Sequence, residues 1–170
     1  MSLSMFNASV PVLLHSLANL KAILDKAEAF ATAKKVDSST IAGSRLAIDM
    51  LPLSSQIQIA CDTAKGCGAR LAGVDIPRFE DNEKSLAELK VRIERTMDFL
   101  SGITAEQVDG GESKAIVLNF PSITLNFNGQ DYLTQFVLPN FFFHVTTAYG
   151  ILRHLGVEIG KIDYLGKVGV

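Results

Sequence analysis

The sequence predicts an all-α fold: a four-helix bundle with a short β-hairpin before the last helix. Three observations carry this. Apolar residues recur at three- and four-residue steps in four separate segments, the period of a helix with one buried face. Between the third and fourth segments, residues 114–127 alternate with period two. The composition also suits one packed domain over residues 1–170: 16 Lys+Arg stand against 18 Asp+Glu, the net charge is −2, and 48% of residues are apolar. That length can bury a substantial core. The low net charge argues against disorder, and the lack of a basic excess argues against nucleic acid as a partner.

The first helix shows its stripe at Phe6, Val10, Leu13, Leu14, Leu17, Leu20 and Leu24, and Lys34, Lys35 and Asp37 end it. Ser38 to Asp49 reads as a connector. Pro52 then suits the first turn of the second helix, with Asp49 as a possible cap. This helix carries Leu53, Ile57, Ala60, Ala64, Gly68 and Leu71 on one face. Ser55, Asp62, Gly66 and Ala69 lie opposite, small enough for another helix to approach closely. Gly73 and Pro77 stop it. Asp81 is a plausible cap for the third helix, whose stripe is Leu86, Leu89, Ile93, Met97 and Leu100. Glu88–Arg92 and Lys90–Glu94 are spaced as pairs on its solvated face.

In the hairpin, Ile116, Leu118 and Phe120 alternate before Pro121–Ser122, and Ile123, Leu125 and Phe127 alternate after it. Two strands alone are marginal, so they must lean on the helices. Asn128–Gly129 precedes the fourth helix, about Asp131 to Leu155. That helix has two apolar stripes: Leu133, Phe136, Val137, His144, Thr147 and Ile151, and Leu138, Phe142, Val145, Tyr149 and Leu152. A helix apolar on two sides is covered on both, which predicts a homodimer or a covering by the hairpin and tail. Pro139 should bend it. Lys161 to Val170 is glycine-rich and predicts little regular structure.

Tyr132 to Leu152 holds no Asp, Glu, Lys or Arg, about the length of a membrane span. Gln135, Pro139, Asn140 and His144 make it too polar to stand alone in lipid. Met1 to Leu20 lacks a basic start and a small-residue cleavage site. The reading is a cytoplasmic protein without a membrane partner.

Candidate chemistry is sparse. Cys61 and Cys67 would lie roughly 9 Å apart along a helix, pointing in different directions, and read as buried hydrophobes. His15 falls off the apolar stripe, as a surface or interface residue, and His154 suits a helix C-terminus. Asn140 and His144 are one turn apart on an inward face, where polar groups need partners. They form either a hydrogen-bonded core pair or a ligand site between helices. Asp62 is a carboxylate set in apolar sequence, with Lys65 placed to pair with it. Asp62, Asn140 and His144 are the candidate ligand pocket. No catalytic residue is assigned, because HExxH, GxSxG, P-loop and GxGxxG patterns are all missing from the sequence.

Several stretches taken together resemble a known family: LAIDMLPL at 46–53, QIACDTAK at 58–65, ARLAG at 69–73, LPNFFFH at 138–144, AYGILR at 148–153 and GKIDYLG at 160–166. They resemble a bacterial domain-of-unknown-function family within the DinB/YfiT-like superfamily of predicted metalloenzymes, over nearly the whole chain. The resemblance implies an up-down-down-up bundle, commonly dimeric. It also implies a divalent metal, zinc or nickel, held by one histidine of the second helix and an HxxxH pair of the fourth; some relatives are thiol-dependent transferases or isomerases. Here His144 is the one histidine in place. Asn140 or Ala148 stands where its partner belongs, and Asp62 and Thr63 occupy the second-helix region. Two expectations follow. One is a dimeric ligand-binding or stress-related module with a degenerate metal site. The other is a metal- or thiol-dependent transferase or isomerase with His144 as base or sole ligand.

Overall fold

The structure is a computed structural model and describes residues 3–167. Four long helices build the bundle: α1 (Val10–Lys34), α3 (Leu53–Ala72), α4 (Leu86–Ser101) and α7 (Leu138–His154). Short helices α2 (Ser38–Ala42) and α5 (Ala105–Val108) lie in the connections, α6 (Gly129–Asp131) leads toward α7, and α8 (Lys161–Leu165) closes the chain. Strands β1 (Ile116–Asn119) and β2 (Thr124–Phe127) precede α6.

Side-chain pairs fix the helix directions. Lys21 meets Glu94 while Lys90 meets Asp25 and Glu28, so α1 and α4 are antiparallel. Asp62 meets Arg92 and Gly68 abuts Leu100, so α3 and α4 run parallel. Gln56 meets His144 and Thr63 meets Asn140, so α7 runs against α3. The result is up-down-down-up, with the long α3–α4 connection running back along the bundle past Lys65 and Arg92.

The predicted stripes form the core. Leu13, Leu17, Leu20 and Leu24 of α1, Leu53, Ile57 and Ala60 of α3, Leu86, Leu89 and Ile93 of α4, and Val145, Ile151 and Leu152 of α7 are all buried, and so is Phe141, which lies in neither predicted stripe. Each large side chain withdrawn in this way contributes about 1.5–3 kcal/mol of transfer free energy. Gly68 lets α3 approach α4 closely, since a Cβ there would sit 2.7 Å from Leu100 Cδ2. The hairpin forms as predicted, with Ile116 opposite Phe127 and Leu118 opposite Leu125. Its inner residues Ile116 and Leu118 are buried against the helices.

Several local expectations are corrected. The connector after α1 contains α2, capped by Asp37, whose carboxylate accepts from Ser39 N–H. Asp49 does not cap α3; Pro52 takes that position, because its fixed φ suits the extended residue before the first turn. Asp81 does not cap α4 either. Ser85 does, in a capping box with Glu88, and Asp81 reaches Arg92 at 2.8 Å. The charged pairs drawn along α4 do not form. Glu88 turns back to the N–H groups of Lys84 and Ser85, Lys90 and Glu94 bond to α1, and Arg92 is buried. The tail is more regular than its glycines suggest, since α8 packs on the bundle. Tyr164 meets Tyr149 edge-on and shares a 2.9 Å hydrogen bond with Thr146. Residues 168–170 of that predicted tail lie outside the described residues.

The fourth helix is the largest departure. It is not one α-helix from Asp131 but α6, then a π-helical stretch over Tyr132–Val137, then α7. Pro139 follows directly. A proline ring clashes with the carbonyl four residues back and lacks an N–H for it. The sequence predicts a bend at Pro139 in a continuous helix; the π turn lies directly before it, where a wider turn accommodates the missing bond. Among the described residues, no helix is long and apolar enough to cross a membrane.

Candidate functional site

The face of α3 toward the last helix carries Gln56, Ile59, Thr63, Gly66 and Arg70, at alternating three- and four-residue steps. The facing side of the π stretch and α7 carries Tyr132, Phe136, Asn140 and His144, each four apart. In a regular helix, positions four apart drift by roughly 40° per step. The π turn rotates the face back, which keeps Tyr132 and Phe136 in line with Asn140.

Because α3 and α7 are antiparallel, these rows meet in a ladder of three cross-helix hydrogen bonds. Arg70 Nη1 donates to Tyr132 Oη at 3.1 Å, Asn140 Nδ2 donates to Thr63 Oγ1 at 2.8 Å, and His144 Nδ1 lies 2.7 Å from Gln56 Oε1. The Gln56 amide is oriented independently, since its Nε2 donates to Leu51 O at 3.0 Å. Its oxygen therefore faces the imidazole, so His144 Nδ1 carries the proton and Nε2 keeps a lone pair. Burial holds the His144 pKa below the ordinary 6.5, so the ring is neutral near pH 7.

Beside the ladder lies a cleft of about 230 Å³, bounded by α3, β1 with its turn, and the π stretch. Ile59, Leu118, Phe120 and Phe136 give it apolar walls, while Thr63, Arg70, Tyr132 and Asn140 supply polar groups. Phe136 stacks on Tyr132 and tilts against Phe120 and Phe127. Burial pushes the Tyr132 hydroxyl up to about 12, so it stays neutral.

Of the three residues singled out from sequence, Asp62 and Asn140 line this cleft, and His144 sits one turn further along α7, outside its lining. The Asp62 carboxylate is engaged with Lys65, the partner its sequence suggests, at 2.7 Å, and with Arg92 at 2.7 Å. Arg92 binds Asp81 and Glu83 as well, and its Nε has no partner among the described residues. Lys65, Arg92 and Arg95 all approach the ring of Phe79, which fixes the α3–α4 connection over this cluster. Gln56, Arg70 and Tyr132 were missed by sequence reasoning, and Thr63 stood out only as a residue of the second-helix ligand region. The available signal was the seven-residue recurrence of polar side chains at 56, 63 and 70.

The residues present do not fit a three-ligand metal centre. Among the described residues, no group of three His, Cys, Asp or Glu side chains is placed to hold an ion. Asn140 and Gln56 are amides, weak ligands for zinc or nickel, and both are already paired. His15 bonds to the Leu165 carbonyl at 2.7 Å. Cys61 and Cys67 are free and buried, with burial pushing each thiol up to about 12, so neither offers a thiolate.

The helix order, the hairpin before the last helix and the α3–α7 seam define a four-helix bundle of the DinB class. The crystal structure of a DinB family member protein from Shewanella denitrificans is 43% identical, with a TM-score of 0.87 over 97% of this chain and 93% of that one. Residues 5–165 match the model of a domain of unknown function, DUF1993, and the chain belongs to that family. No curated protein matches it.

Proposed function

We propose that the protein is a small-molecule-binding module whose working site is the cleft beside the α3–α7 ladder, with a degenerate metal site in which His144 stands alone. The observation that carries this reading is the ladder. Gln56–His144, Thr63–Asn140 and Arg70–Tyr132 pair across the two helices, and Asp62 is held by two cations. What is left open is a small apolar-walled cleft with a few convergent polar groups, the ordinary form of a ligand site. Asp62 and Asn140 belong to its rim, and His144 braces the helix that forms it. A homodimer is part of the proposal, supported by exposed apolar side chains such as Ile48 and Phe143. A cytoplasmic, stress-related setting is proposed with it.

Two measurements test the reading. Metal analysis of purified protein should find no stoichiometric zinc or nickel, and a chelator should leave the Tm unchanged. A fragment titration followed by backbone-amide NMR should shift Ile59, Thr63 and Asn140. One metal per chain, lost in His144→Ala, would overturn it, as would fragments that never perturb the cleft.

A second reading, a transferase or isomerase using His144, is favoured by one observation. The imidazole is neutral, oriented by Gln56, and has an unprotonated Nε2, as a general base requires. A turnover assay with a small thiol as co-substrate should then show activity abolished in His144→Gln.

A further inference from the structure

We propose that Arg70 is the anion-recognising head of this cleft and that its ligand is a small organic carboxylate with a flat apolar body. The inference rests on the reading of the cleft as the working site, and it names the class of ligand.

The position of Arg70 is built. One turn before it lies Gly66, and a Cβ there would stand 2.4 Å from Arg70 Nη1. The guanidinium thus lies across its own helix in the space that the missing side chain leaves. Tyr132 Oη holds it from the far side, accepting at 3.1 Å. That hydroxyl remains neutral, so it orients Arg70 without discharging it.

The charge on Arg70 is also uncompensated. Among the described residues, no carboxylate lies within ion-pair distance of it, whereas Asp62, the one carboxylate lining the cleft, is shared by Lys65 and Arg92. One anion between two cations leaves nothing for Arg70. A guanidinium presents a planar fork of donors that matches a carboxylate in a bidentate pair.

The remaining surfaces select the body of the ligand. Ile59, Leu118, Phe120 and Phe136 offer no polar atoms, and Phe120 is 45% exposed at the hairpin turn, an aromatic edge without full cover. Thr63 accepts from Asn140, so its own hydroxyl proton remains to be donated. At about 230 Å³ the cleft is smaller than the roughly 300–1,000 Å³ typical of drug-sized ligands. It suits one ring and its acid group.

The test uses phenylacetate, phenylacetamide and phenethylamine as probes, titrated into the full chain and followed by amide NMR at cleft residues. Phenylacetate should bind saturably, and the amide and amine about tenfold more weakly or worse. Arg70→Gln should weaken phenylacetate by about tenfold to a hundredfold. Gly66→Ala, which gains helix propensity and displaces only the end of a flexible side chain, should keep or raise the Tm and still weaken binding. Equal affinity for acid and amide would overturn the inference, as would parent-like binding by both variants. If the amide or amine binds in the cleft and the acid does not, the carboxylate falls while the cleft reading stands. If none of the three binds, the inference falls, and the broader fragment titration decides the cleft reading by itself.

Discussion

Arg92 should be the most costly surface-derived charge in the molecule to remove. Its side chain is 1% exposed and makes ion pairs with Asp62 at 2.7 Å, Asp81 at 2.8 Å and Glu83 at 3.0 Å, plus a hydrogen bond to Glu80 O at 3.1 Å. The three carboxylates do not count equally. Asp62 and Asp81 keep 43% and 59% of their exposure, so solvent screens those pairs to about 0.2–1 kcal/mol each. Glu83 keeps only 10%, and its charged hydrogen bonds are worth about 1.5–3 kcal/mol. Arg92→Met, which retains much of the volume, should therefore cost about 2–5 kcal/mol in total. For a chain of this size that lowers the Tm by about 4–20 °C. Urea and thermal denaturation measure it, and a cycle with Glu83→Gln should recover part of the loss. The pH dependence adds a second readout. Burial alone would raise the Glu83 pKa, but hydrogen bonds from Gln58 and Arg92 outweigh it and hold the carboxyl below the usual range. A depressed carboxylate stabilises the fold above about pH 4.5, and that contribution disappears as the pH falls through the folded value. Arg92→Met should flatten this acid limb. A Tm within 2 °C of the parent, with an unchanged acid limb, would refute the reasoning.

Three further outcomes are expected. Gly129→Ala places a Cβ 2.0 Å from Gly111 O, a backbone atom that cannot swing aside; it should cost about 1–3 kcal/mol by overpacking, read as a loss of Tm. Burial lowers the His144 pKa, so the unfolded chain takes up the proton first: stability should be full above about pH 6.5 and decline as the pH falls below it, with a shallower slope in His144→Gln across pH 5–7. Cys61 and Cys67, buried with thiols pushed up to about 12, should react with a chromogenic disulfide only in denaturant, at a rate set by unfolding.

The bundle helices and the hairpin were legible because they rest on long periodic runs. The stripe from Leu13 to Leu24 and the alternation from Ile116 to Phe127 each have one reading. The ends were less legible, because capping depends on which of several acceptors the connection delivers. Asp81 and Ser85 are both good caps by type, and the path of the α3–α4 connection decides between them by carrying Asp81 to Arg92. Arg92 itself was invisible as a buried group, since an arginine four residues after a glutamate reads as a surface pair. The site was half legible. Asn140 and His144 stood out as polar residues on an apolar face, but their partners Thr63 and Gln56 lie on a row of α3 that the stronger Leu53–Leu71 stripe concealed. Arg70 acquires meaning only once Tyr132 is known to face it, and that depends on a π turn with no simple sequence signal.

That π turn makes the last helix two instruments set to different phases. Tyr132 and Phe136 before Leu138 face the cleft in line with Asn140 after it, Leu133 and Val137 face the core, and one extra residue sets that alignment. Removal of a single residue between Tyr132 and Val137 would restore a uniform α-helix and turn the cleft-forming half by about 100°, carrying Tyr132 away from Arg70 while leaving every residue of α7 where it is. A change of one residue in length can therefore withdraw Tyr132 and Phe136 from the cleft while its α3 and β1 walls and Asn140 stay in place.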